Sequence, residues 1–99
     1  NRPTAIFAGS DLQAMGVYEA ARQLGLRIPE DVSVVGFDDV QTAAFLGPAL
    51  TTVRQPLQDM ARAAVRMLVE ALSTNDVIQP HIIMPTSLVV RNSTQQLEG

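Results

Sequence analysis

The feature that most constrains the fold is a nearly unbroken apolar run, residues 32–37, which ends on two adjacent carboxylates, Asp38 and Asp39. A strand that is apolar at successive positions must be covered on both faces, which is typical of a parallel sheet between helices. A second apolar run, residues 4–9, is too short for a helix and is closed by a glycine. The two runs therefore predict two buried strands.

The segment between these runs predicts an amphipathic helix over residues 10–25. Ser10 and Gln13 have the spacing of a capping box, and Gly25 is the expected terminator. Apolar residues recur along it at helical spacing, namely Leu12, Met15, Ala20 and Leu24. A strand, a helix and a strand in this order form a parallel βαβ unit. The predicted fold class is therefore α/β, with a parallel sheet flanked by helices.

The second half of the chain predicts one long helix and several shorter elements. Residues 56–72 carry a single apolar stripe with charged residues opposite it, and Pro56 opens the segment. The shorter elements are a helical turn within residues 41–50, an extended segment at 51–55, strands at 81–84 and 86–90, and a flexible tail at 95–99.

Composition excludes several classes of protein. All seven basic residues are arginines, so chemistry that depends on lysine is excluded. The chain has no cysteine and one histidine, which excludes disulfides, thiolate metal sites and histidine-rich metal sites. Its net charge of −3 does not fit a DNA-contacting surface. No apolar run approaches the ~20 residues that span a bilayer. The chain begins without methionine and almost on a strand, so we expect it to be part of a longer protein.

Polar side chains follow both predicted strands. Ser10 and Asp11 follow the first strand, and Asp38 and Asp39 follow the second. Ligands of open parallel sheets bind beyond the carboxyl ends of the strands, and a carboxylate can accept two hydrogens from one vicinal diol. These side chains therefore predict a site for a hydroxyl-rich molecule of about the size of a sugar.

Each candidate also has a purely structural interpretation. Ser10 can cap the helix, Asp11 suits the first helical turn, and Asp39 can cap the turn that follows the strand. Gln55 is a helix flank first and a pocket residue second. Asp38 is the strongest candidate for ligand contact, because the end of the strand leaves it in the crevice.

The paired aspartates also allow an enzymatic alternative. Carboxylates at strand ends hold Mg²⁺ in some phosphoryl-transfer domains. Those families require a lysine near the phosphoryl group, and this chain contains none. We therefore predict a domain that is not an enzyme and that needs no cofactor and no metal.

Two motifs at a characteristic separation indicate a family. "PEDVSVVGFDD" and "LTTVRQP" resemble the C-terminal part of the effector-binding core of lactose-repressor/galactose-repressor (LacI/GalR) transcriptional regulators. The resemblance covers residues 3–94 and implies a periplasmic-binding-protein-like fold. It implies that Asp38 contacts effector hydroxyls and that Gln55 lies near the pocket mouth. Ser10 stands where the family commonly has asparagine.

The same resemblance implies an organisation and a set of partners. Residues 1–54 and 85–94 would belong to the C-terminal subdomain, and residues 55–84 would form a crossover, a helix and a strand associated with the N-terminal subdomain. The implied homodimer interface consists of Leu12, Met15, Glu19, Thr42, Ala43, Phe45 and Leu46. A cytoplasmic regulator is expected, without membrane contact, which binds a sugar or related polyol and reaches DNA only through a headpiece outside this chain. A solute-binding protein of a sugar transporter shares the fold and is the second alternative.

Overall fold

The computed structural model describes residues 2–74 and 81–97. Their elements are β1 (Ala5–Phe7), α1 (Asp11–Leu24), β2 (Ser33–Asp38), a 3₁₀ helix (Gln41–Phe45), β3 (Thr51–Arg54), α2 (Leu57–Thr74) and β4 (Ser87–Val89). The chain divides into two compact units. The first contains the four strands and α1, and the second runs from Gln55 to Thr86 and contains α2.

The strands of the first unit form one sheet in the order β1-β2-β3-β4. β1, β2 and β3 are parallel, with Ala5 opposite Ser33 and Val35 opposite Thr51. The predicted parallel βαβ unit is therefore confirmed. β4 pairs with β3 in the antiparallel direction, so the sheet is mixed. The carboxyl ends of the three parallel strands lie at one edge of the sheet, which we call the carboxyl edge.

α1 begins and ends as its sequence predicts. The Ser10 hydroxyl accepts the Gln13 backbone N–H at 3.1 Å, and the Gln13 side chain accepts the Gly9 N–H at 3.0 Å. This is the predicted capping box with one difference, since the Gln13 side chain accepts the N–H of Gly9 rather than that of the N-cap residue Ser10. Gly25 ends the helix at φ 70°, a left-handed conformation that glycine adopts without steric cost.

The core of the first unit is small and is built from Ala8, Ala14, Val34, Ala43 and Leu50. The 3₁₀ helix confirms the predicted helical turn, and it places Ala43 in this core with no exposed surface. Ala43 was predicted to lie at a dimer interface, but a fully buried side chain cannot contact a partner directly. Its short alanine side chain lets the 3₁₀ helix pack closely against the core.

The chain after β4 returns along the sheet. The fully buried Ser93 hydroxyl accepts the Thr51 N–H at 2.8 Å and donates to the Val34 carbonyl at 2.6 Å. Gln95, predicted to begin a flexible tail, donates its backbone N–H to Ser33 Oγ at 3.2 Å. Gln95 thus contacts the amino end of β2.

The second unit contains the predicted long helix but not the predicted strand at 81–84. α2 spans Leu57–Thr74, and much of its apolar side is exposed. Residues 81–86 are irregular, and Ile83 is exposed. The strand prediction is wrong because a strand needs a neighbour for its backbone hydrogen bonds, and the described part of this unit contains no other strand. Among residues 2–74 and 81–97, no helix has the length and apolar character needed to cross a membrane.

Candidate functional site

The predicted binding residues lie at or shortly after the ends of strands. Ser10 follows β1 and Asp38 is the last residue of β2, and these two strands are neighbours in the sheet. Because β1 and β2 run parallel, both residues lie at the carboxyl edge of the first unit, Asp38 at the end of β2 and Ser10 at the start of α1. Gln55 directly follows β3 along the chain and is the first residue of the second unit.

Asp38 sits in an unusual backbone conformation. Its φ is 119°, and that of Asp39 is 56°. Positive φ is uncommon for residues other than glycine; each such residue costs about 1–3 kcal/mol and persists only where the surroundings impose it. The Asp38 side chain is half-buried. The strand thus ends in a turn whose conformation the rest of the unit must hold.

Asp39 is an ion-pair residue rather than a simple turn cap. One carboxylate oxygen accepts Arg54 Nε at 2.7 Å and the other accepts Arg91 Nη2 at 2.8 Å. The side chain is only 9 % exposed. Burial opposes ionisation, but the hydrogen bonds from Arg91 and Arg54 prevail and lower the pKa of Asp39. Asp39 therefore anchors the turn to β3 and to the segment after β4.

The ion pairs of Asp39 argue against the alternative in which the paired aspartates hold Mg²⁺. Both oxygens of Asp39 are already bonded to guanidinium groups, whose positive charge disfavours a divalent cation at the same carboxylate. Within the part of the chain that the structure describes, His, Asp and Glu side chains form no group of three that could hold a metal ion.

The lowered pKa of Asp39 predicts acid sensitivity. A carboxyl group whose pKa is lower in the folded state stabilises the fold above its unfolded pKa of about 3.9, and this stabilisation is lost as the pH falls through the folded pKa. We expect the difference in free energy of unfolding between wild type and Asp39→Asn to be constant from about pH 7 to pH 5 and to shrink toward about pH 3. Urea unfolding at these pH values measures it, and a difference independent of pH would contradict the assignment.

Asp11 is fully buried, which its position in the first turn of a helix did not predict. Its Oδ1 accepts the Thr52 hydroxyl at 2.6 Å, and its Oδ2 accepts the Val40 N–H at 2.8 Å. Asp11 therefore links α1 to β3 and to the turn after β2. The sequence offered no signal for these partners, because Thr52 lies 41 residues further along the chain.

Ser10 remains suited to ligand contact although it caps α1. Capping uses one of its acceptor positions, whereas a serine hydroxyl offers one donor and two acceptor positions. The residue is half-buried at the carboxyl edge. Ser10 and Asp38 together can donate to and accept from hydroxyl groups.

The fold and its polar carboxyl edge define a periplasmic-binding-protein-like ligand-binding domain. The chain belongs to the family of periplasmic binding protein-like domains, which it matches over residues 1–94. This match and the relatives below confirm the resemblance to the effector-binding core of LacI/GalR-type regulators.

Two relatives are bacterial regulators. The chain is 50 % identical over 93 residues to an uncharacterised HTH-type transcriptional regulator in the aml 5′ region of Streptomyces limosus, covering 94 % of this chain and 26 % of the relative. It is 48 % identical over 96 residues to the HTH-type transcriptional regulator MalR of Streptomyces coelicolor, covering 97 % and 28 %. The chain thus spans little more than a quarter of their length. Both relatives are HTH-type transcriptional regulators, which agrees with the prediction of a non-enzymatic domain.

Solved structures show the same fold. A LacI family transcriptional regulator from Enterococcus faecalis with bound ribose superposes with a TM-score of 0.93 at 32 % identity, covering 99 % of this chain and 37 % of the other. The regulator CelR in complex with cellobiose gives a TM-score of 0.86 at 38 % identity, covering 91 % and 28 %. The lac repressor dimer bound to operator and an anti-inducer gives 0.84 at 35 % identity, covering 93 % and 32 %.

Proposed function

We propose that this chain is the C-terminal part of the effector-binding core of a transcriptional regulator, in which Ser10, Asp38 and Gln55 contact a sugar or related polyol. The observation that carries this proposal is the position of Ser10 and Asp38 at adjacent parallel strand ends. The ribose and cellobiose bound by two structural neighbours support a sugar-like effector.

The chemistry of the edge suits a reversible sensor. Each hydrogen bond to a charged partner contributes about 1.5–3 kcal/mol net. Two or three such bonds together with one apolar stacking contact give a dissociation constant of roughly micromolar to millimolar. A regulator needs this range, because its occupancy must follow the concentration of a metabolite.

The proposed mechanism separates sensing from DNA reading. The net charge of −3 disfavours direct DNA contact by this chain, so we assign operator binding to a headpiece outside it. Effector binding favours one arrangement of the two subdomains and thereby changes operator affinity. Such a regulator works in the cytoplasm, where it meets DNA.

We also propose a homodimer that uses one face of the first unit. Leu12 on α1 is 77 % exposed and Phe45 on the 3₁₀ helix is 81 % exposed, and exposed apolar side chains of this size are typical of interfaces. The other predicted members with exposed or half-buried surface are Met15, Glu19, Thr42 and Leu46. The operator-bound lac repressor dimer supports this assembly.

We also propose how the chain divides between two subdomains. We assign residues 1–54 and 85–94 to the C-terminal subdomain and residues 55–84 to the crossover and to elements that pack on the N-terminal subdomain. The exposed apolar residues of α2, such as Leu68 and Leu72, support the second assignment, because they require a partner.

A thermal-shift screen of sugars and nucleosides on the intact protein tests the function. A ligand present at 100 times its dissociation constant stabilises the folded state by about 2.7 kcal/mol. We expect at least one sugar to raise the melting temperature and to change operator binding. Stabilisation by none of the sugars would contradict the proposal.

A further inference from the structure

A buried hydrogen-bond network supports the turn that presents Asp38. Asp11 Oδ2 accepts the Val40 N–H at 2.8 Å, and Thr52 Oγ1 accepts the Asp39 N–H at 3.3 Å. The two acceptors are joined, because the Thr52 hydroxyl donates to Asp11 Oδ1 at 2.6 Å. Both backbone N–H groups that follow Asp38 are therefore bound by one connected pair of side chains.

This turn needs support of that kind. Asp38 and Asp39 both have positive φ, which neither residue adopts without a steric cost. Strained backbone persists only where surrounding contacts impose it. The Asp11–Thr52 pair is fully buried, so water does not compete for its hydrogen bonds.

Gly36 provides the space for this network. It lies opposite Thr52 in the β2–β3 register. A Cβ atom on Gly36 would overlap Asp11 Oδ1 and would lie 2.9 Å from Leu50 Cδ2. Only glycine therefore lets the Asp11 carboxyl group pack against β2 and reach both of its partners.

We infer that Asp11 and Thr52 are positioning residues of the effector site. They do not touch the effector, since both are fully buried. They bind the main chain on the carboxyl side of Asp38 and so set the direction in which its carboxyl group is presented. This inference rests on the proposed role of Asp38. It adds that two buried residues must hold the turn for Asp38 to contact the effector.

Two adjacent threonines allow a matched test. Thr51 and Thr52 are both buried in β3, and each hydroxyl accepts a backbone N–H. The Thr51 hydroxyl accepts the Arg91 N–H, whereas the Thr52 hydroxyl accepts that of Asp39. Thr52→Val and Thr51→Val thus remove the same group from neighbouring positions. The first loses a direct hydrogen bond to the turn, whereas the second reaches the turn only through Arg91, whose side chain bonds Asp39. Thr52→Ser restores the hydroxyl.

The first measurement is amide hydrogen exchange in the intact protein, in peptides that contain Asp39 and Val40. We expect Thr52→Val to accelerate exchange there by about ten-fold or more, since a lost stabilisation of 1.4 kcal/mol corresponds to ten-fold in an equilibrium. Thr51→Val should accelerate exchange in these peptides much less, because it acts on the turn only through Arg91, and Thr52→Ser should keep the wild-type rate. Equal exchange in the two valine variants would overturn the inference.

The second measurement is calorimetric titration with ribose and with cellobiose. We expect Thr52→Val to weaken binding by about ten-fold or more, with Thr51→Val and Thr52→Ser close to wild type. Faster exchange in the turn together with unchanged affinity would overturn the positioning role. If the wild type binds neither sugar, the proposed function fails for these two ligands. The amide hydrogen exchange of Asp39 and Val40 then decides separately whether Asp11 and Thr52 hold the turn. Should Thr52→Val not fold, Asp11→Asn takes its place under the same criteria.

Discussion

Replacement of Asp38 by alanine is expected to weaken effector binding by about 100-fold or more and to leave operator binding intact. A carboxylate that accepts two hydroxyl hydrogens loses two charge-assisted bonds of about 1.5–3 kcal/mol each, and about 1.4 kcal/mol corresponds to ten-fold in affinity. Calorimetry on the intact protein, with the sugar that gives the largest thermal shift, measures the loss. Unchanged affinity would refute the role of Asp38.

Two further variants distinguish the loss of an effector contact from a loss of stability. Asp38→Gly removes the same carboxyl group, but glycine accepts a φ of 119° without steric cost. We expect it to lose affinity as alanine does but to have a higher melting temperature than Asp38→Ala, because the two variants lack the same carboxyl group and differ in backbone strain. Asp59→Ala is the matched control, because it removes an exposed carboxylate from α2. Its affinity should equal that of wild type.

The second large effect is expected at Asp39. Asp39→Asn should lower the free energy of unfolding by about 3 kcal/mol near pH 7, because loss of one charge from a buried pair leaves the other uncompensated. Arg91 is the residue most affected, since its side chain is only 17 % exposed, whereas Arg54 stays hydrated. Asparagine tolerates positive φ, so the backbone conformation is not the cause. Urea unfolding of the intact protein measures the change.

The control for this prediction is again an ion pair of the second unit. Asp59 lies 3.8 Å from Arg62, and both side chains are largely exposed. Exposed pairs contribute about 0–1 kcal/mol, so Asp59→Asn should have little effect. If Asp39→Asn were equally mild, Asp39 would not anchor the turn.

The elements that the sequence predicted correctly carry local signals. The capping box of Ser10 and Gln13 and the terminator Gly25 predicted α1 because each acts within a few residues of the helix end. The strand prediction for residues 81–84 failed because an apolar run shows that a segment can be extended, not that a neighbouring strand is present. The antiparallel direction of β4 depends in the same way on where the chain returns to the sheet.

In the candidate site, too, the sequence predicted what depends on local signals and missed what depends on distant residues. Chain order and the parallel βαβ unit were sufficient to predict that Ser10 and Asp38 share one edge of the sheet. The partners of Asp39 were not predictable, since Arg91 lies 52 residues away along the chain. The buried pair of Asp11 and Thr52 was missed for the same reason, and the sequence favoured an ordinary charge in the first turn of the helix.

By itself, the sequence determined the class of fold, the ends of its first helix and the strand ends at which a ligand site could lie, because backbone preferences and hydrophobic periodicity act over short distances. Only the tertiary structure decided which polar side chains are buried and hold the turn at the site, and which can face a ligand. Hydrogen bonds and ion pairs between distant residues depend on separations of about 3 Å, which arise only once the strands have paired.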